Sequence, residues 1–103
     1  MRRTKKRVVV VYRAGPTWRA GTPEEQPDWG AHADFVDDLI AKGTFVMGGP
    51  FSDNSGSLVL LERLTAAEAL EVLAEDPFVR NGVFEIEAVR DWTVYVDELS
   101  RKA

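Results

Sequence analysis

Two ionisable residues, His32 and Asp76, are the candidates for acid–base chemistry in this sequence. His32 is the only histidine in the 103 residues, and imidazole is the side chain that most readily gains and loses a proton near neutral pH. A carboxylate that accepts a hydrogen bond from an imidazole holds one tautomer of the ring and stabilises its protonated form. His32 and Asp76 can work in this way only if the fold brings them together.

Hydrophobic patterning predicts the order strand, helix, strand, strand, helix, strand along the chain. The first strand is a β-branched, apolar run, which is typical of a central strand buried on both faces. This order predicts an α+β fold, a ferredoxin-like βαββαβ antiparallel sheet with two helices on one face, in a single domain that covers residues 1–103. Residues 1–6 are mostly basic and are expected to form a flexible terminus. The strands are expected at residues 7–12, 44–51, 57–63 and 83–96.

Local signals predict where the helices begin and where the last strand is irregular. Asp28 stands in the position that would cap the first helix. Thr65, with Glu68 three residues later, is a capping-box signature for the second helix. In the last strand a bulge is expected around Arg90 and Asp91.

The sheet face without helices is expected to meet another surface. The first strand is apolar on both sides, and residues 58–61 are apolar in succession, so an open face would expose a contiguous apolar patch. A second copy of the chain related by a two-fold axis is the simplest partner. The sequence therefore predicts a homodimer that pairs as a dimeric α/β barrel.

The predicted topology places His32 and Asp76 at the same end of the molecule. The two helices run antiparallel to each other, so the first turn of one lies beside the last turn of the other. Apolar residues three and four positions away place both side chains on buried helix faces, and a buried carboxylate needs a partner. The pocket at this end is expected to bind a small-molecule ligand through Tyr12, Arg13, Gly49, Pro50, Ser57 and Phe78, with Trp18 as a further apolar wall.

These residues also have purely structural interpretations. A lone histidine on an apolar helical face is often a satisfied core residue. Asp76 followed by Pro77 is a standard start for a short helical turn, which Gly82 would end. Ser57 can be a turn residue. Spacing alone leaves both interpretations open.

Composition argues against several classes of function. The net charge of −4 provides no broad basic surface for nucleic acid, and no apolar run is long enough to span a membrane. The start of the chain lacks the pattern of a signal peptide, so a cytoplasmic protein is expected. With no cysteine and one histidine, no metal site and no cofactor are expected.

A series of short motifs extends across nearly the whole chain, from Val8 to Val96. The motifs are VYRAGP after the first strand, HADFVDDLIAKG in the first helix, GGPF after the second strand, GSLVLLE in the third, EDPFVRNGVFE after the second helix, and Trp92. Together they resemble the YCII-related (YciI-like) family of the dimeric α/β-barrel superfamily. The resemblance implies a ferredoxin-like fold, a dimer and an active site centred on a histidine–aspartate pair, which falls on His32 and Asp76.

The residues and the resemblance together favour a small cofactor-independent enzyme. One activity associated with the family is dehydrochlorination of a chlorinated hydroxyquinol, and related barrels include muconolactone-type isomerases. We therefore hypothesise a lyase, isomerase or dehydrochlorinase-like enzyme in which His32 transfers a proton on a small cyclic or aromatic metabolite and Asp76 orients the imidazole. The alternatives are a non-catalytic small-molecule-binding or regulatory module, and a purely structural pair.

Overall fold

The computed structural model describes residues 3–99, and residues 1, 2 and 100–103 lie outside this range. Its elements are β1 (Lys5–Ala14), a 3₁₀ turn (Pro23–Glu25), α1 (Trp29–Ala41), β2 (Phe45–Pro50), β3 (Gly56–Leu61), α2 (Ala66–Leu73), α3 (Pro77–Arg80) and β4 (Phe84–Val94). The strands form one sheet in the order β2-β3-β1-β4, and every neighbouring pair is antiparallel. The predicted ferredoxin-like α+β fold is thus confirmed.

The core lies between the helices and one face of the sheet. On β1, Val8, Val10 and Tyr12 are almost fully buried and alternate with half-buried residues, because a strand presents every second side chain to the same face. Leu39 of α1 and Leu73 of α2 belong to the same buried cluster. The helices therefore cover one face of the sheet, and within residues 3–99 no helix covers the other.

The two longer helices begin in different ways. At α2 the predicted capping box is confirmed, because Thr65 Oγ1 accepts a hydrogen bond from Glu68 N at 3.2 Å and Glu68 Oε1 accepts one from Thr65 N at 2.8 Å. At α1, Asp28 occupies the predicted N-cap position, but its side chain makes no capping hydrogen bond. Asp28 adopts the left-handed conformation, with φ of 70°, and its carboxylate accepts a hydrogen bond from Asn81 Nδ2 at 2.9 Å instead. A capping side chain reaches the helix amides from extended backbone, which this residue does not have.

The β-bulge in β4 lies at Glu87, so the prediction that placed it around Arg90 and Asp91 is wrong. The register between β1 and β4 shifts by one residue at Glu87 and is regular at both predicted positions. Because the extra residue reverses the alternation of side chains, Val89 rather than Ala88 packs against the core. Asp91 consequently faces α2, where its Oδ1 accepts a hydrogen bond at 2.9 Å from the first backbone amide of that helix.

Strand β1 begins at Lys5, two residues before its predicted start, and β4 ends at Val94, two residues before its predicted end. Lys5 and Lys6 pair with the last residues of β4, and Lys5 Nζ lies 2.9 Å from Asp97 Oδ2. These two lysines belong to the sheet rather than to the flexible terminus predicted for residues 1–6, because β4 is long enough to offer them backbone partners.

Candidate active site

His32 and Asp76 meet at one end of the helix layer. His32 lies in the first turn of α1, and Asp76 lies between α2 and α3. The Nδ1 atom of His32 is 2.9 Å from Oδ1 and 3.0 Å from Oδ2 of Asp76. The imidazole is 14% exposed and the carboxylate 2%. The structure therefore brings together the two side chains that the topology predicted to meet.

Asp76 also caps the short helix α3. Its Oδ1 accepts a hydrogen bond from Phe78 N at 2.9 Å, and Pro77 occupies the first position of the helix, where a missing backbone N–H costs nothing. The capping interpretation and the pairing interpretation of Asp76 therefore hold at the same time. Among residues 3–99, no buried side-chain polar atom lacks a hydrogen-bond partner, as the cost of burying a lone carboxylate requires.

Two aromatic rings pack against the imidazole of His32. Phe78 stacks on it with the ring centroids 4.0 Å apart and an angle of 3° between the planes. Trp29, one turn earlier in α1, packs against it with a centroid distance of 5.6 Å.

Because a carboxylate only accepts hydrogen bonds, Nδ1 of His32 carries the proton that is donated to Asp76. The neutral ring then has its lone pair on Nε2, and this atom is available to a ligand.

A cavity of about 320 Å³ lies beside this pair. Ligand sites in proteins are typically hollows of this kind, with mostly apolar walls and a few polar groups that orient the ligand. Six of the residues that the sequence analysis assigned to the site line this cavity. They are His32, Asp76, Tyr12, Gly49, Pro50 and Ser57.

Tyr12 lines the cavity from β1. Its side chain is almost fully buried and its ring stacks on Phe84 with centroids 5.1 Å apart. Burial raises the pKa of the Tyr12 phenol well above its usual range, and the negative charge of Asp76 raises it further. The phenol therefore stays protonated at neutral pH and can donate a hydrogen bond to an oxygen of a ligand.

Gly49, Pro50 and Ser57 are part of the wall that β2 and β3 contribute. The Ser57 hydroxyl donates a hydrogen bond to the Gly49 carbonyl oxygen at 2.8 Å. Its proton is therefore engaged within the sheet, and the Ser57 oxygen remains available only as an acceptor. At Gly49 a Cβ atom would meet no other heavy atom within 4 Å, so this part of the wall is open.

Three residues of the predicted pocket lie elsewhere. Arg13 follows Tyr12 on β1 and points to the opposite face of the sheet, because successive side chains of a strand alternate. There its Nε atom lies 3.2 Å from Glu85 Oε1, so the prediction that Arg13 faces the pocket is wrong. Phe78 is fully buried against the imidazole and does not line the cavity. Trp18 packs against the core but is not part of the cavity wall either.

Aromatic side chains that the sequence analysis did not assign to the site complete the walls. Phe35 lies three positions after His32 on α1, so helical spacing could have identified it. Trp29 lies three positions before His32 on the same helix and has the same signal. Phe45 and Phe84 come from β2 and β4. Their place in the wall depends on how the strands and helices pack, which no local pattern in the sequence determines.

The loop before α1 supplies one more side of the cavity through Pro23 and Glu24. The amide of Gln26 holds this loop in shape. It donates hydrogen bonds to Arg19 O at 2.7 Å and Thr22 O at 3.0 Å, and it accepts one from Arg19 N at 2.8 Å. In the sequence Gln26 looks like any polar loop residue, whereas in the fold it is 3% exposed.

The ionisable side chains that line the cavity, apart from the exposed carboxylates of Glu24 and Asp37, are His32, Asp76 and Tyr12. Within residues 3–99, no three His, Cys, Asp or Glu side chains converge as ligands for a metal ion. In the same part of the chain, no helix has the length and apolar character needed to cross a membrane.

The family model of the YCII-related domain matches residues 7–93 of the sequence. The chain belongs to the YCII-related family. The match includes every helix and reaches every strand described above, so the family assignment covers both the fold and the candidate site.

This YCII-related chain is similar to proteins from two bacteria. An uncharacterized protein of Bacillus subtilis (strain 168), YjpA, is 36% identical over 61 residues, which are 59% of this chain and 71% of the relative. The structure of 5-chloro-2-hydroxyhydroquinone dehydrochlorinase from Burkholderia phenoliruptrix AC1100, in complex with 2,5-dihydroxybenzoquinone, matches with a TM-score of 0.56. That match covers 82% of this chain and 90% of the dehydrochlorinase at 23% identity, so it shows a shared fold.

Proposed function

We propose that this YCII-related protein is a small cofactor-independent enzyme, a lyase or isomerase, in which His32 transfers a proton on a small cyclic or aromatic metabolite. The observation that carries the proposal is a cavity-lining imidazole whose Nδ1 is held by the buried carboxylate of Asp76 at 2.9 Å. The structural relative named as a dehydrochlorinase, with a quinone ligand, makes elimination from a ring the first reaction class to test.

In the proposed reaction Nε2 of the neutral His32 takes a proton from the ligand, and Asp76 stabilises the imidazolium that forms. In an elimination, the electron pair of the broken bond to hydrogen forms a new double bond, and the leaving group on the neighbouring carbon departs with its bonding pair. In an isomerisation, the imidazolium returns the proton to a different atom of the ligand. The Tyr12 phenol donates a hydrogen bond to a ligand oxygen on which negative charge develops.

The test detects proton transfer whatever the product is. A panel of hydroxylated rings, with and without a chlorine substituent, is incubated in deuterated water, and NMR follows both hydrogen exchange and chemical conversion. We expect His32→Gln to slow conversion by about 10²-fold or more, and Asp76→Asn to slow it less. Asp34→Asn, on the same helix but outside the cavity wall, is the control and should leave the rate unchanged.

Two outcomes contradict the proposal. One is conversion that persists unchanged in His32→Gln. The other is a wild-type protein that binds members of the panel at this site and converts none of them, which would favour the non-catalytic binding module that the sequence also allowed.

We also propose that the protein forms a homodimer through the sheet face that carries no helix. Met47, Leu58 and Trp92 lie on this face with exposed fractions of 46%, 40% and 43%, and apolar patches of this kind mark association surfaces. A two-fold axis would cover the same patch on both copies. In sedimentation equilibrium, Leu58→Glu should give a monomer, whereas Leu70→Glu, at an exposed leucine of α2, should keep the wild-type mass. A monomeric wild type would contradict the dimer.

A further inference from the structure

We propose that the cavity beside His32 and Asp76 binds rings without net charge in preference to rings that carry a carboxylate. This inference rests on the function proposed above and names the chemical class of its ligand. The class is an uncharged planar ring with hydroxyl or carbonyl oxygens, such as a phenol or a quinone.

The charged groups around the cavity disfavour a carboxylate. In the part of the chain that the structure describes, the charged residues that line it are Glu24, Asp37, Asp76 and His32, and no lysine or arginine lines it. A carboxylate that entered would lose hydration without gaining a cationic partner, which is unfavourable. The one group that can become cationic is His32, and Asp76 already balances it at 2.9 Å.

The arginine nearest to the site in sequence points away from the cavity. Arg13 directly follows the cavity-lining Tyr12, but it lies on the other face of the sheet and pairs with Glu85 at 3.2 Å. The strand therefore points a phenol into the cavity and the guanidinium away from it. Arginine is the side chain best suited to bind a carboxylate with two parallel hydrogen bonds. Because Arg13 points away from the cavity, it cannot bind the carboxylate of a ligand there.

Two carboxylates lie at the mouth of the cavity. Glu24 from the 3₁₀ turn and Asp37 from α1 are both exposed and both line the cavity, so they lie where it opens to solvent. Their negative charges repel an approaching anion. Asp34, which lies on α1 as well and is also exposed, does not line the cavity and provides a matched control.

The remaining walls suit an uncharged ring that carries oxygens. Tyr12, Phe35, Phe45 and Phe84 offer aromatic surfaces to the cavity, and such surfaces stack against flat rings. The Tyr12 hydroxyl can donate a hydrogen bond, and the Ser57 oxygen can accept one. A phenol or a quinone matches both features.

The test compares ligand pairs that differ by one carboxylate: catechol with 3,4-dihydroxybenzoate, and hydroquinone with 2,5-dihydroxybenzoate. Each is titrated into the wild-type protein at neutral pH while NMR follows the imidazole signal, which comes from the only histidine of the chain. We expect the uncharged member of a pair to bind at least about tenfold more tightly. Asp37→Lys, and separately Glu24→Lys, should reduce this ratio by about three- to tenfold, whereas Asp34→Lys should not.

The proposal is overturned if the carboxylated member binds as tightly as its partner, or if the uncharged member of neither pair binds. It is also overturned if Asp37→Lys and Glu24→Lys change the ratio no more than Asp34→Lys does. The titration measures occupancy and not conversion. If the protein binds the uncharged rings but converts none of them, the proposed enzyme is contradicted and the proposed ligand class is not. If both members of a pair bind equally, the ligand class is overturned, and turnover that depends on His32 would still support the proposed enzyme.

Discussion

Replacing Asp76 with alanine should destabilise the fold strongly, because this carboxylate is the acceptor for two separate parts of the structure. Asp76 accepts hydrogen bonds from the Phe78 amide and from His32 Nδ1, both at 2.9 Å, and is itself 2% exposed. Each donor left without a partner away from water costs about 1–3 kcal/mol. We therefore expect Asp76→Ala to lower the free energy of unfolding by about 2–5 kcal/mol, a large share of the about 5–15 kcal/mol that a domain typically has.

The measurement is urea unfolding at neutral pH, followed by tryptophan fluorescence. Asp76→Asn is the matched variant, because an asparagine caps a helix about as well as an aspartate and its amide oxygen still accepts a hydrogen bond from Phe78 N. We expect it to cost about 1–2 kcal/mol, mainly through the weaker bond to His32. The double variant His32→Ala/Asp76→Ala should show a coupling energy of at least about 1 kcal/mol, as residues in direct contact do.

Two results would refute this reasoning. A loss below about 1 kcal/mol for Asp76→Ala would mean that water or a rearranged backbone satisfies the donors at little cost. Additive effects in the double variant would mean that His32 and Asp76 contribute to stability independently, despite their contact.

Three further changes have expected outcomes. Tyr12→Phe should remove part of the loss of stability at high pH. Burial raises the pKa of the phenol in the folded protein, so above about pH 10 the phenol ionises more readily in the unfolded chain. The free energy of unfolding of the wild type therefore falls by about 1 kcal/mol for each pH unit above about pH 10. Urea unfolding at pH 9 and pH 11 measures this, and equal pH dependence in both proteins would count against it. Gly48→Ala should cost about 1–3 kcal/mol, because a Cβ there would lie 2.9 Å from two neighbouring side chains, whereas Gly49→Ala meets nothing within 4 Å. Equal thermal melts for the two alanine variants would contradict this contrast. Gln26→Ala should speed hydrogen exchange in residues 19–26, since three hydrogen bonds of its amide are lost; an unchanged exchange pattern would show that the loop keeps its shape without them.

The meeting of His32 with Asp76 could be predicted because it depends on features that are local in the sequence. Helical spacing sets the direction of each side chain, and the order of the elements sets which helix ends lie together. The cost of burying a lone carboxylate then leaves few arrangements other than a pair. The catalytic role of the pair stays a prediction, and it depends on the exchange assay.

The residues that line the cavity could be predicted only in part. Tyr12, Gly49 and Ser57 line the cavity, but the bond from Ser57 to the Gly49 carbonyl at 2.8 Å engages a proton that the sequence analysis had left for a ligand. Arg13 is a different case, because strand alternation already implied that it and Tyr12 cannot face the same pocket. Gln26 carried no signal at all, since its importance depends on burial by residues distant in sequence.

By itself the sequence determined the order of strands and helices, the capping box of Thr65 and the end of the molecule at which an imidazole and a carboxylate meet. The elements and the capping box follow from residues a few positions apart, and the meeting of His32 with Asp76 follows from helical spacing together with the order of the elements. The tertiary structure alone decided the bulge at Glu87, the left-handed backbone of Asp28 and the places of Phe45 and Phe84 in the cavity wall. Each of these is the outcome of a competition between contacts far apart in the chain: the core takes Val89 rather than Ala88, and the Asp28 carboxylate bonds to Asn81, just after α3, rather than to its own helix. Local sequence preferences do not determine which of these contacts forms. The choice depends on how the whole chain packs, because each contact must be compatible with the rest of the fold.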